Sequence, residues 1–471
     1  MRTLARRLLL PGLTALALTT AGCASPTPTS AAGPGSPAAL PAASDGTQRL
    51  DVDAAPQGAG APSAIARTRA GQGPEKAPLK VASYDKASGR AVISAAAQGG
   101  GTSPNRSAAP SAGSSAAAPK PVAVGDVIAS APAPGAPDGL LAKVTEVVGK
   151  TDRGTEVKTA PTTLAAALGD DKADGKVPVD PASVVVEPLM KGVTFSWAKG
   201  KGVTFGPQGA KLPLGSLRLD VDAAVDTAKD APASAGASVS GFVQLAPQVE
   251  FGYDGTKSGG HGPDGAFLGM SGDWSSQWAL KGRAAASTGA PKRIPFAKLR
   301  SNPVLQVGPV PVVVNLELTC YVQVEADGKV TLDVQQDVKG DFRVGGSYAT
   351  GKGWTPVSTS AVHSTPVKAA VTAAGRVKGA LGAEASVGLY GAVGVTADFA
   401  PYLRGEADAS ASAATDGKTS ATGSWALYGG FDLSGQLQLQ LSVFGTPVVE
   451  RRVPLGALHR EWPLVSGRAG Q

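Results

Sequence analysis

The sequence predicts a mainly β protein: a large antiparallel β-sandwich or an elongated, curved sheet with long strands, preceded by a small β-rich module and disordered linkers. Three observations carry this. Apolar and polar residues alternate over unusually long runs, Gly-containing turn signals punctuate those runs, and Pro-, Ala- and Ser-rich stretches without any hydrophobic period separate the patterned segments. The 62 Gly, 37 Pro and only 5% aromatic residues of the 471-residue chain fit the same picture.

The first element is a leader, residues 1–22. Arg2, Arg6 and Arg7 make a basic start, an apolar run of about ten residues follows to Leu18, and the small residues Thr20, Ala21 and Gly22 precede Cys23. That apolar run is too short to cross a hydrocarbon core of ~30 Å as a helix. Together these residues resemble the signal peptide of a bacterial lipoprotein precursor. Ala21, Gly22 and Cys23 match that family's box, and Thr20 stands where the family usually has Leu. The resemblance implies that Cys23 is acylated on its sulfur and becomes the mature N-terminus. The protein would then be exported and lipid-anchored to the outer face of the bacterial cytoplasmic membrane, or secreted if the box is not used. Two or more acyl chains hold a protein stably at a bilayer where one binds marginally, since each buried methylene contributes ~0.8 kcal/mol.

Residues 23–78 read as a disordered tether, because "ASPTPTSAAGPGSPAALPAAS" offers too little apolar surface to offset the entropy of ordering. Some fifty residues at random-coil scaling reach about 40 Å. The small β-rich module is expected over 79–182, with an internal flexible linker at about 96–121. Its strands are signalled on both sides of Asp85–Gly89 and of Asp152–Gly154, and a short helix is signalled by Pro161, Leu164 and Leu168. The order of these segments is similar to a small module of bacterial surface proteins, a likeness that carries no functional residue across.

The large antiparallel all-β domain is expected over 183–466, with a flexible tail at 467–471. Val312, Val314, Leu316, Leu318, Cys320, Val322 and Val324 alternate with Asn315, Glu317, Thr319, Tyr321, Gln323 and Glu325, the pattern of a strand with one dry and one wet face. Asp327-Gly328 predicts a hairpin turn there, and Asp416-Gly417 another. Similar alternation runs from Glu384 to Glu406 and from Trp425 to Val443. Twenty residues of straight strand would span ~65 Å, so Gly429, Gly430 and Gly435 are read as places to bend, bulge or break. "KGVTF" at 191–195 and 201–205 predicts a hairpin between the two copies, and "RLDVDAA" occurs at 49–55 and 218–224.

The chemistry is mostly absence. His261, His363 and His459 sit in unrelated contexts, Ser271 lacks the spacing of a hydrolase nucleophile, and no phosphate or dinucleotide loop is present. Asp220 and Asp222 share a strand face, as alternating carboxylates on a wet face commonly do, and no metal site is predicted. Cys320 reads as a buried small hydrophobe. The formal charge of +7 falls by three to +4 without Arg2, Arg6 and Arg7, and no Lys/Arg cluster is dense enough for nucleic acid. Neither a catalytic residue nor a cofactor is predicted.

One cluster invites a binding role. In "GDWSSQW", Trp274, Ser276 and Trp278 share one face of an extended segment, with Asp273 and Gln277 on the other. Exposed, Trp274 and Trp278 would stack on sugar rings of a cell-wall glycan; buried, they would fill the core. The sequence therefore predicts a non-enzymatic cell-envelope lipoprotein that presents its β domain to an envelope protein or glycan, or serves a structural role. The alternative is a lipid-carrying or membrane-active, pore-forming-like secreted β protein.

Overall fold

A computed structural model describes residues 47–55, 63–66, 75–77, 79–95, 121–180, 183–198, 204–206, 209–211, 216–226, 235–255, 262–284, 290–413, 419–421, 424–438, 443–446, 452–454 and 457–468. The leader with Cys23, most of the 96–121 linker, the Asp416-Gly417 dipeptide and His261 lie outside the described residues. The N-terminal elements are β1 (Arg49–Leu50), β2 (Val52–Ala54), β3 (Ser63–Ala66), β4 (Glu75–Ala77), β5 (Leu79–Asp85), β6 (Arg90–Ala95), β7 (Val127–Ser130), β8 (Leu140–Thr151), β9 (Gly154–Pro161), the helix α1 (Leu164–Leu168) and β10 (Lys172–Pro178). Next come β11 (Val185–Pro188), β12 (Val193–Ala198), β13 (Thr204–Gly206), β14 (Gly209–Lys211), β15 (Ser216–Asp226), β16 (Ala235–Asp254), β17 (Gly265–Ala284), β18 (Lys292–Ser301) and β19 (Val304–Val307). The C-terminal strands are β20 (Val310–Ala349), β21 (Gly353–Leu389), β22 (Ala392–Ala413), β23 (Thr419–Ala421), β24 (Ser424–Gln438), β25 (Arg452–Pro454) and β26 (Leu458–Arg468). The protein is mainly β, as its sequence predicts.

The hairpin of β20 and β21 organises everything else, and it is not straight. Asp327-Gly328, predicted as a turn, lies inside β20, with Gly328 directly opposite Gly375 of β21. Both glycines have positive φ, 97° and 148°. A side chain at Gly375 would come within 2.0 Å of the Asp327 carbonyl oxygen, so only glycine fits this close approach. A simple measure shows that the ribbon folds over here. Trp274 of β17 pairs with Gly340, whereas Phe399 of β22 pairs with Ala383, which pairs with Cys320. Gly340 and Cys320 would be ~65 Å apart on a straight strand. Yet the Trp274 and Phe399 rings meet edge-to-face with centroids 5.3 Å apart. The two halves of the hairpin therefore belong to two facing layers, and the glycine pair is the corner at which strands pass from one to the other.

Pairing agrees with this corner. Residues 330–349 of β20 carry β17 on the edge away from β21, followed by β16 and then by β15 and β10 on β16's far edge. Residues 316–324 of β20 carry β18 and then β11 on the corresponding edge. The matching half of β21 continues into β22, β24 and β26. The alternation from Glu384 to Glu406 is thus broken by a tight turn at Tyr390 and Gly391, whose φ values are 49° and 81°. This two-residue hairpin turn needs left-handed backbone at both positions. Gly429 and Gly430 lie within β24, next to a register shift between Leu427 and Tyr428. They are seats for rings, with Trp462 over Gly429 and Tyr402 over Gly430.

Several sequence expectations are corrected. The tether does not run unbroken to residue 78: β1 pairs parallel with β10, β2 pairs with β19, and Leu50 and Val52 pack on the main core. The alternation of "RLDVDAA" forms strand at both of its occurrences. The two "KGVTF" copies do not pair with each other, since β12 pairs with β15 and β13 with β14. Pro161 ends β9, and the helix begins after Thr163, whose hydroxyl accepts from the Ala166 N–H. β10 leaves the small module for the large sheet, and β26 extends into the predicted tail. The two predicted turns at Asp85–Gly89 and Asp152–Gly154 join paired strands.

The small module is a seven-stranded sheet in the order β4-β3-β7-β8-β9-β6-β5. It is not independent. β7 is buried along its whole length, with Ile128 facing the module's own core of Val81, Ile93, Val144 and Val157. Val127 and Ala129 face the opposite way, into a core shared with Leu164, Leu168, Val249, Phe251, Leu389 and Phe431.

Candidate functional site

The two layers do not meet perfectly. Between them lies a cavity of about 130 Å³, partly open to the surface and walled by side chains such as Leu245, Met270, Leu318, Phe342, Leu381 and Phe399. Both halves of β20 contribute, through Leu316, Leu318 and Cys320 on one side of the corner and Phe342 and Val344 on the other. Folding the hairpin thus creates the space. Charged residues in its wall alternate with inward-facing Leu residues along their strands. Arg300 and Glu317 pair with each other at 3.2 Å, and Lys298 reaches Glu317 at 2.7 Å. Ser301 is buried with its hydroxyl 2.8 Å from that of Ser183.

β17 supplies the other polar atoms. Trp274, Ser276 and Trp278 share its inward face, and they are only 6%, 4% and 2% exposed, while Asp273 and Gln277 face solvent. The predicted grouping on one face is found, but the exposed stacking platform is not. Neither tryptophan offers its ring face to solvent, because the facing layer covers both. Trp274 and Ser276 line the cavity, and the indole N–H groups of Trp274 and Trp278 and the hydroxyl of Ser276 are buried without hydrogen-bond partners. Trp274 Nε1 stands over Gly340, where a Cβ would come within 3.0 Å of it.

Cys320 is 3% exposed at the cavity wall. Burial pushes its thiol up to about 12, which makes it a poor nucleophile and agrees with the sequence expectation of a small hydrophobe.

The reverse side of the same strands carries a ladder of rings and cations. Arg293 lies 3.9 Å over the Tyr321 ring, Lys378 3.8 Å over Tyr402 and Arg404 4.0 Å over Tyr428. Tyr321 donates to Asp398 at 2.5 Å, Tyr402 to Glu461 at 3.0 Å and Tyr428 to Glu406 at 3.0 Å. Asp432, His459 and Tyr402 also fall in line, at 2.6 and 3.4 Å. That line resembles an acid–base–hydroxyl relay only in outline. Burial and the Glu461 carboxylate hold the Tyr402 phenol well above its ordinary range, so its proton stays on.

The remaining sequence candidates are dispersed. Asp220 is engaged by Arg218 at 2.8 Å and Asp222 is exposed. His363 is exposed on β21. Among the described residues no group of three or more His, Cys, Asp or Glu is placed to hold a metal ion, and no helix is long and apolar enough to cross a membrane. No family model, curated protein or solved structure matches the chain.

Proposed function

We propose that this chain is an exported, lipid-anchored envelope protein that holds a small apolar ligand between its two β layers, without acting on it as an enzyme. The cavity carries this reading: an apolar space built where one hairpin folds over itself. A dry cavity of similar size, about 150 Å³ and lined by aliphatic and aromatic side chains, binds benzene or xenon in another protein. The scale therefore fits a single ring or a short branched chain. Burial of Trp274 and Trp278 weakens the glycan alternative. Anchoring through Cys23 would keep such a binder at the membrane surface, where apolar molecules partition.

The test is ligand-dependent stability. A molecule that binds only the folded protein raises its melting temperature by mass action. Toluene near saturation is expected to raise the melting temperature of the full chain. Ala383→Leu, which places about three more carbons into the cavity, is expected to abolish that rise while melting cooperatively on its own. No toluene response in the native protein would sink the reading.

A further inference from the structure

Trp274 and Ser276 both line one cavity, and their Nε1 and Oγ are buried hydrogen-bond donors without partners. Leaving such groups unpaired costs more than forming an average hydrogen bond gains, so native interiors rarely tolerate it. The surrounding sheet offers no remedy. Ser276 lies between Val243 of β16 and Val338 of β20, and Trp274 between Leu245 and Gly340, none of which has a side-chain acceptor. The main chain of β17 is itself committed to ladders on both edges. The facing layer presents the Phe399 ring to Trp274. At the same cavity Ser301 has its hydroxyl paired with Ser183; Trp278 Nε1 and Ser358 Oγ are also buried without partners, but only Trp274 and Ser276 of these four residues line the cavity.

We propose that Trp274 Nε1 and Ser276 Oγ are the ligand-orienting donors of the cavity, and that the ligand is a ring-sized or short-chain ketone, ester or ether whose oxygen accepts from them. The inference rests on the cavity-binding reading above and adds the polar half of the ligand. Residues two apart on a strand face are separated by ~6.6 Å, close enough for the hydroxyl and the indole to address one oxygen or two neighbouring ones. The apolar body of the ligand would lie toward Leu318, Leu381 and Phe399.

The experiment compares acetophenone with α-methylstyrene, which has the same shape but carries a methylene in place of the carbonyl oxygen. Binding of each to the full chain is measured by calorimetry for the native protein, Ser276→Ala and Trp274→Phe. Each substitution is expected to weaken acetophenone about fivefold, the equivalent of one net hydrogen bond, and to leave α-methylstyrene unchanged or slightly tighter. Equal effects on both ligands, or none on either, would overturn the donor assignment while the cavity reading stands. Failure of both ligands to bind the native protein would overturn the two together. Ser276→Ala removes an unpaired group, so it is expected to melt at or above the native temperature; a marked loss of stability would show that the hydroxyl has a structural partner and would overturn the proposal.

Discussion

The two faces of the sheet formed by β20, β21, β22 and β24 have opposite ways of treating polar groups. On the outer face, Tyr321, Tyr402 and Tyr428 each donate a hydrogen bond to a carboxylate and lie under a cation, and two of the rings rest over glycines, Gly382 and Gly430. On the inner side, Leu316, Leu318, Cys320, Leu381 and Phe399 meet a facing strand that carries unpaired donors at Trp274 and Ser276. One sheet thus stabilises its outside by satisfying polar groups and leaves polar capacity unused inside. The difference teaches where to look for a ligand: where satisfaction stops, not where charge is densest.

The comparison depends first on the corner, whose loss would separate the faces altogether. Gly375→Ala is expected to cost about 3 kcal/mol or more in denaturant titration, since it adds both a strained φ and a clash with Asp327. Gly353→Ala is the control, at φ 73° with open space around it, and should cost about 1 kcal/mol.

The next effect concerns a buried charge on β16. Burial opposes ionisation of Glu250, but Lys176, Ser271 and Arg343 outweigh it and hold the carboxyl below its ordinary value. Lys176 and Arg343 each approach it at 2.7 Å. Glu250→Gln is expected to cost about 1.5–3 kcal/mol at neutral pH. Because the folded value is depressed, this stabilisation is present above the unfolded value of ~4.3 and is lost as pH falls through the lower folded value. A native protein as stable at pH 3 as at pH 7 relative to the variant would refute the assignment.

Tyr402→Phe and Ser276→Ala sharpen the contrast directly. The outer substitution strands Glu461 without its phenol donor and should cost about 1 kcal/mol, whereas the inner one should fall within ~0.5 kcal/mol of zero or stabilise. Similar losses at both sites would erase the distinction between the faces. The smallest effect is on reactivity: with its thiol pushed up to about 12, Cys320 should resist a thiol reagent at pH 8 in the folded protein and react at once in denaturant.

Much of this was legible in residue order and some was not. Period-two alternation identified the inward residues of β20 and β24 correctly, because burial on one face leaves that trace in any strand. It could not distinguish a turn from a corner. Asp327-Gly328 has the composition of a hairpin turn, and only Gly375, far along the chain, converts it into a crossing between layers. The strands at 49–54 were hidden for a related reason: five patterned residues between breaker-rich stretches become strand only when β10 and β19 offer their edges. At the candidate site the sequence singled out Trp274, Ser276 and Trp278 as one face. Which way that face pointed was fixed by the opposing layer, about which local pattern carries no information.

The fold-over at Gly328 and Gly375 also bears on the order in which the chain is expected to fold. Pairs near the Ala349–Gly353 tip join neighbours in the chain and cost little closure entropy, while Trp274 and Phe399 meet across a large sequence separation. A ribbon that zips from its tip and closes last at the corner brings its two layers together only after β22 has taken its place. Because the pocket between the layers stays partly open to the surface, an occupant has a route in after that closure as well.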